Sequence, residues 1–398
     1  MLTLRIAPPR MLARTAPGAG DGAGDDRGDD RSDDRGDLAG YYFGQLWCHW
    51  RMTDRALAII LAAVSAARWP IGGGGAAPWR NGWGAREQRL VRGATGGEAH
   101  LGMAARKGVH RLLNPGAFPR AANPLKNKRL FATRCRAAGL PVPDTFADDG
   151  DAAALPAWLA RQAAIIAKPN YSSKGQGIVR YLRADGGWHD GTRALATEAL
   201  VARLGRGGVI QTCLAGHADL AALSPGALPT LRIMTCLDEQ GAVEQCGVLL
   251  RLGAGRAPVD NFNAGNLVAA VGDDGRLGPA FIRAGAAIET VTHHPATGAE
   301  IVGRRVPDLA AAIDLAVAAH AVFRNGFTVI GWDIGLAEGG PVLIEGNWNP
   351  GTDVVQLVAG RGLGRTRLGA LYRHHLARLP AARWRAARPI EREPRHAR

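Results

Sequence analysis

Cysteine is scarce in this chain and carries no pattern. Cys48, Cys135, Cys213, Cys236 and Cys246 form no C-x-x-C pair and no zinc-ligand spacing. An odd, scattered set excludes a disulfide framework and suits a reducing cytoplasm, the compartment expected. Cys213 and Cys236 lie in apolar runs and read as small buried hydrophobes. Long hydrophobic runs are missing too. Ala56–Ala67 is about a dozen residues, short of the ~20 that a membrane-spanning helix needs, so a buried helix is expected there. No apolar segment of a secretory signal follows Met1. There is no internal repeat, no convincing Ser/His/Asp order and no Cys/His pair. No Gly-Lys-Ser/Thr step opens a helix, which excludes a Walker-type phosphate loop.

What is present is length, apolar content and positive charge. A chain of 398 residues, 46% of them hydrophobic, suffices for a packed core in two or three subdomains. The formal charge of +14 suits nucleic acid, a membrane surface or an anionic substrate. Much of the arginine sits in the tails, so a basic nucleic-acid-binding protein is the competing reading rather than the main one. Its signature is affinity that falls steeply with salt.

The text divides into four stretches. Residues 1–40, with Asp, Arg and Gly alternating around Asp25–Asp37, read as a disordered low-complexity leader. Residues 41–122 read as a helical or irregular N-terminal cap, 123–365 as the main domain, and 366–398 as a basic C-terminal helix and tail. The main domain is α+β. Helices are expected over Lys128–Ala138, stopped by Gly139, and over Leu155–Ala163. Strands are expected at Ala163–Lys168, Ile178–Leu182 and Val209–Leu214. Thr230–Leu237 with Val243–Leu252, and Leu267–Val271 with Pro279–Arg283, read as hairpins. Pro307–Phe323 reads as a helix with proline in its first turn. Its buried face is expected to be Leu309, Ile313, Val317 and His320, the last a satisfied core histidine.

The chemistry concentrates in Thr328–Asn347. Two apolar runs flank Glu338-Gly339-Gly340, which reads as a hairpin loop. With those three residues as the loop, Ala337 pairs with Pro341, Gly335 with Leu343 and Asp333 with Glu345, and Asn347 shares the face of Glu345. A two-residue loop would turn Glu345 to the other face. Facing carboxylates repel in a sheet. A divalent cation between them turns that cost into a site, and Mg²⁺ takes oxygen ligands of this kind while keeping room for water and phosphate. Ile330, Trp332, Ile334 and Leu336, on the opposite face, read as core.

Other residues add to this. Lys168 ends an apolar strand, where an unpartnered ammonium is costly. Ser172-Ser173-Lys174-Gly175-Gln176-Gly177 is a Gly-rich turn whose backbone N–H groups can approach phosphate oxygens. The plain reading of the same turn is a solvated loop. Arg232 interrupts one apolar strand and Arg251 closes the next. With Glu239-Gln240 as the loop, Arg232 lies opposite Gly247, on the face of Arg251. Two guanidiniums there suit a phosphate or acyl-phosphate group. The plain alternative is a salt bridge to a carboxylate such as Glu345. Asp260–Asn263 and Asn266 read as turn residues, and His294 as an exposed loop histidine.

Taken together these motifs resemble the ATP-grasp superfamily, and within it the sugar-transfer-associated ATP-grasp group. The matching stretches are Ile165–Pro169, Ser172–Gly177, Pro229–Thr235, Val259–Phe262, His294–Gly298, Gly331–Ile334 and Glu345–Asn347, within Asn123–Gly360. Asn266 stands where a second glycine is expected after Gly265, and Pro229 where asparagine is expected before Thr-Leu-Arg. The resemblance implies an ATP-grasp fold, with two sheet-and-helix subdomains clamping ATP. It implies ATP contacts from Lys128, Lys168, Ser172, Ser173, Lys174, Gly175, Gly177 and Gln211. It implies Mg²⁺ on Asp333, Glu345 and Asn347, catalytic roles for Arg232 and Arg251, and substrate contacts from Asn261, Asn263 and His294. The implied reaction activates a carboxylate as an acyl-phosphate for attack by an amine or other nucleophile. The substrate is expected to be a small molecule or a glycan or peptide precursor, in cell-envelope polymer modification. Alternatives are a phosphotransferase on the same fold, a nucleotide binder without catalysis, and the nucleic-acid binder, which needs no ATP.

Overall fold

The computed structural model describes residues 36–50, 52, 55, 99–146, 152–171, 176–184, 186–205, 208–255, 262, 265–285 and 287–387. The apolar run Ala56–Ala67, the turn residues Ser172, Ser173, Lys174 and Gly175, and Asn261 and Asn263 lie outside them.

The described helices are α1 (Leu38–His49), α2 (Met103–Leu113), α3 (Lys128–Ala137), α4 (Leu155–Ala160), α5 (Thr197–Leu204), α6 (Leu309–Phe323), α7 (Asp353–Ala359), α8 (Arg367–Ala377) and α9 (Ala381–Ala386). The described strands form two antiparallel sheets. The smaller contains β1 (Thr145–Phe146), β2 (Ala164–Lys168), β3 (Val179–Ala184), β4 (Gly187–His189), β5 (Ala194–Leu195) and β6 (Val209–Thr212), in the order β1-β6-β2-β3-β4-β5. The larger contains β7 (Thr230–Leu237), β8 (Val243–Leu252), β9 (Leu267–Val271), β10 (Leu277–Ala284), β11 (Ala287–Val291), β12 (Val329–Ala337) and β13 (Gly340–Asn347). Their order is β11-β10-β9-β8-β7-β12-β13.

The small sheet has its own core. Ile165, Tyr181 and Ile210 pack with Leu155, Trp158 and Leu159 of α4 and Leu200 and Leu204 of α5. Burying each of the aliphatic side chains contributes roughly 1.5–3 kcal/mol, which holds β2 in place and with it Lys168.

The large sheet has two unlike faces. On one, Leu231, Ile233, Leu250, Ala269, Ile330, Trp332 and Ile334 pack against α6. That helix meets them through Ala312, Leu315, Ala316, Ala319, His320 and Phe323. The expected stripe of Leu309, Ile313 and Val317 is therefore displaced: three alanines share the contact with Leu315, His320 and Phe323, and Leu309 and Ile313 are only partly buried at its margin. The helix begins at Leu309 rather than Pro307, because Asp308 has a φ of 51°, outside the right-handed helical region. His320 is a satisfied core histidine, with Nδ1 on the Thr235 hydroxyl at 2.7 Å and Nε2 on the Phe327 carbonyl at 3.1 Å.

The opposite face changes character along its width. At one end Met234, Cys236, Cys246 and Val329 lie under α1, α2, α8 and α9. At the other, Leu249 and Val268 pack with Phe262 and with Leu357 of α7. Between these patches lie the charged residues of β7, β8, β12 and β13. The helical layer joins distant parts of the chain. Tyr42, Leu46 and Trp50 share a core with Trp384, and the Trp50 indole donates to the Ala387 carbonyl at 3.2 Å. Arg367 of α8 holds the β7–β8 tip, bonding Glu239 at 2.5 Å and Glu244 at 2.7 Å.

Candidate active site

A bulge sets the site. β12 and β13 join through a two-residue turn, with Ala337 opposite Gly340, rather than the three-residue loop expected. Left uninterrupted, that register would turn Glu345 to the core face. Ile344 is an extra residue: Ile334 pairs with Leu343, while Asp333 pairs with Glu345. The carboxylates face each other because of the bulge. β7 and β8 use the same device. Met234 pairs with Gly247 but Thr235 with Gln245, which leaves Cys246 as the extra residue. The tip, Glu239–Gly241, is one residue longer than expected, and with the bulge this sets Arg232 opposite Leu249 instead of Gly247, and Arg251 opposite Thr230. The two arginines still share one face, and β7–β12 pairing sets Arg232 beside Asp333.

Asp333 Oδ1 accepts a bond from Arg232 Nε at 2.5 Å, and Oδ2 accepts one from Arg251 Nη1 at 2.9 Å. The salt-bridge partner of Arg232 is thus Asp333, not Glu345. Burial alone would raise the Asp333 carboxyl, but the charges of Arg232 and Arg251 outweigh it and hold the group below the usual carboxylate range. Glu345 shifts the other way. Burial first, and then the Asp333 charge, raise its carboxyl, against the pull of Lys168 and Lys128. Asn347 Nδ2 donates to Glu345 Oε1 at 3.3 Å, so the amide lies against the carboxylate.

The cations come from outside the hairpin. Lys168, at the end of β2, is 9% exposed. Burial lowers its ammonium pKa and Glu345 opposes the shift. Lys128, at the start of α3, is lowered to about 8 by burial, again against Glu345. Its Nζ reaches the Asn170 carbonyl at 3.4 Å.

Mg²⁺ fits this donor set. Asp333, Glu345 and Asn347 offer only oxygens to a cation. Each Asp333 oxygen uses one lone pair on a guanidinium and keeps another. Two carboxylates against two arginines and two lysines leave the site formally cationic, a balance that suits an anionic ligand.

Other expected site residues fall differently. Gly177 has a φ of 74°, and a Cβ there would lie 2.9 Å from Pro169 Cγ, so only glycine closes the turn onto the exit of β2. The Gln211 side chain is buried and donates to the Thr145 hydroxyl at 2.9 Å, and its backbone lies in β6, paired between β1 and β2. His294 is not exposed as expected. It is 1% exposed, with Nε2 on the Gly253 carbonyl at 2.9 Å and Nδ1 accepting from Ala296 and Thr297 N–H at 3.3 Å. Both ring nitrogens hold backbone, which corrects the picture of a loop histidine facing substrate. Asn266 likewise accepts from Ala254 N–H at 2.8 Å.

Sequence reasoning missed α2 and what it holds. Arg106, His110 and Asn114 bond Pro350, Asn349 and Trp348 respectively, immediately after Asn347. The available signal was Arg106 and His110, four apart and so on one helical face, with Asn114 as a stop signal after Leu113.

Two antiparallel sheets meeting at a partly buried cluster of carboxylates, lysines and arginines are the build of an ATP-grasp protein. The sequence pattern of the sugar-transfer associated ATP-grasp family matches residues 109–370, about two thirds of the chain, and the chain belongs to that family. No curated protein sequence matches it. Among solved structures, the ATP-grasp ligase PsnB with its minimal precursor is similar at 18% identity and a TM-score of 0.35, over 65% of this chain and 61% of PsnB. The ADP complex of PurK, an N5-carboxyaminoimidazole ribonucleotide synthetase, is similar at 13% identity and a TM-score of 0.35, over 58% of this chain and 47% of that one. D-alanine–D-alanine ligase from Bacillus anthracis gives 13% identity and 0.35, over 64% and 69%. The chain thus spans about six-tenths of the length of PsnB, and likeness at this level carries no information about substrate.

Proposed function

We propose that the protein is a Mg²⁺- and ATP-dependent ligase that activates a substrate carboxylate for attack by an amine or another nucleophile. The observation that supports this reading best is the charged cluster of Glu345, Arg232, Arg251 and Lys128, partly buried, around the buried Asp333 and Lys168, in a chain of the ATP-grasp family. ATP and an anionic carboxylate repel, so the protein must position them and neutralise charge. Lys128 and Lys168 reach the site beside Glu345, where they neutralise nucleotide phosphates. Arg232 and Arg251, on the neighbouring strands, face the γ-phosphoryl group. A substrate carboxylate oxygen attacks the γ-phosphorus, the bond to the bridging oxygen breaks, and an acyl-phosphate and ADP form. The nucleophile then attacks the acyl carbon and phosphate leaves. Asp333, Glu345 and Asn347 are the residues that would hold Mg²⁺, which supplies further charge neutralisation at the phosphates.

The acceptor is a small molecule or a glycan or peptide precursor in the cytoplasm, with cell-envelope polymers as the suggested context. Among the described residues no helix is long and apolar enough to cross a membrane. The deciding experiment is ADP and phosphate release with Mg·ATP across amino acids, sugar acids and amines. A ligase releases both in equal amounts, and only when a carboxylate and a nucleophile are present together. ADP with a stable phosphorylated product identifies a phosphotransferase. Nucleic-acid affinity that falls steeply with salt, in a protein that does not bind ATP, overturns the reading.

A further inference from the structure

Arg106 and His110 lie four apart on one face of α2, and Asn114 caps the C-terminus of that helix. Each grips one of three successive residues that leave β13. Arg106 Nη1 donates to the Pro350 carbonyl at 2.8 Å, and His110 Nδ1 meets Asn349 Oδ1 at 2.9 Å. Asn114 Nδ2 donates to the Trp348 carbonyl at 2.6 Å. The next residue back is Asn347. Asn114 also reaches the first strand of the site hairpin. Its Nδ2 donates to the Val329 carbonyl at 2.8 Å, and its Oδ1 accepts from Thr328 and Val329 N–H at 2.8 and 3.1 Å. One side chain therefore ties the start of β12 to the end of β13.

His110 is fixed on its second side as well, since Nε2 meets the Tyr372 hydroxyl of α8 at 2.7 Å. His110, Asn114 and Tyr372 are all fully buried. An isolated hairpin end frays, because its last residues have a partner on one side only. Here the segment after β13 is held residue by residue. Asn347 is thereby fixed against Glu345.

We infer that Arg106, His110 and Asn114 are positioning residues for the cation site, holding the end of β13 so that Asn347 and Glu345 present their oxygens together. This rests on the reading of Asp333, Glu345 and Asn347 as the Mg²⁺ ligands, and it adds a role for a helix that touches neither metal nor nucleotide. Partners behind metal ligands typically matter by roughly 10- to 100-fold in metal affinity.

The test uses the full chain with Arg106→Met and Tyr372→Phe, each of which removes one grip while keeping most of the side-chain volume. Asn114→Ala deletes four bonds at a buried position and serves as the severe case. Calorimetry measures ATP affinity with and without Mg²⁺, and a Mg²⁺ titration at saturating ATP gives the half-saturating concentration. The expected result for the two mild variants is a near-native melting temperature, unchanged affinity for metal-free ATP, and a half-saturating Mg²⁺ concentration raised roughly 10-fold or more. Folded variants with native Mg²⁺ dependence overturn the inference, as does an equal loss of metal-free and Mg²⁺-loaded ATP binding. A wild-type protein that binds ATP without any Mg²⁺ dependence overturns the underlying ligand assignment, and this inference with it.

Discussion

Lys168 and Glu345 sit on different sheets, yet Glu345 is the charge that opposes the effect of burial on Lys168. The two sheets are thus electrostatically joined before any ligand arrives. An ammonium that ends an apolar strand near one carboxylate is placed to meet a phosphate.

Lys168→Met tests that role, because methionine keeps the buried stem and removes the charge. A charge-assisted hydrogen bond contributes roughly 1.5–3 kcal/mol. ATP affinity should therefore drop by roughly 10- to 150-fold. Unchanged affinity by calorimetry removes Lys168 from the site.

Glu345→Gln should abolish Mg²⁺-dependent turnover, with a loss of at least roughly 100-fold. The fold should survive, since Glu345 is already held above its ordinary pKa by burial and by Asp333. Neutralising it relieves repulsion across the hairpin. A purified variant with near wild-type activity ends the metal assignment.

Gly346→Ala addresses stability rather than chemistry. Gly346 lies opposite Trp332, on the core face. A Cβ there would lie 2.7 Å from Leu125 Cδ2 and 2.9 Å from Trp332 Cζ3. Overpacking of this kind costs roughly 1–3 kcal/mol. Denaturant melts should show a lower midpoint, and an unchanged midpoint would mean that the core yields at no cost.

His320 gives a pH dependence with a definite sign. Burial, aided by Arg324 and opposed by the bond to the Phe327 carbonyl, lowers its pKa to about 4. An unfolded histidine protonates near 6.5. Between these values the unfolded chain binds more protons, so stability falls as pH drops from about 6.5 toward 4, by at most ~1.4 kcal/mol per pH unit. Above that window the contribution is constant. Relative to His320→Asn, the wild type should lose on the order of 2 kcal/mol between about pH 7 and 4.5. Parallel stability curves for the two proteins would count against a neutral buried His320.

The central strands were legible because polar turns bracket apolar runs. Asp238–Gly241 and Asp273–Gly275 mark hairpin tips, and Thr230–Leu237, Val243–Leu252 and Leu267–Val271 appear with the expected ends. The bulges were not legible. Ile344 and Cys246 are apolar like their neighbours, and which residue is extra depends on pairing across the sheet. The α6 face was misread because alanine adds little to an apolar period. Helix α2 was missed because its inward face carries Arg106 and His110 and it ends at Asn114. The burial of His294 depends on Gly253, 41 residues away, which no local pattern contains. The candidate site was legible where charge stands out against an apolar strand, as at Asp333, Arg232 and Lys168.

The layer of α1, α2, α8 and α9 also dictates an order of assembly. Tyr42 and Leu46 bury themselves against Trp384 and its neighbours, so on a ribosome α1 must wait until the more than three hundred residues up to Trp384 have been made. At ordinary synthesis rates that delay is roughly twenty seconds to a minute. During it both sheets can form, but Met234, Cys236 and Val329 have no helix over them and Tyr372 is not yet there to hold His110. An unfinished chain would therefore expose an apolar patch and a loose β13 end together. Both are covered only once α8 and α9 have been made and α1 has packed against them.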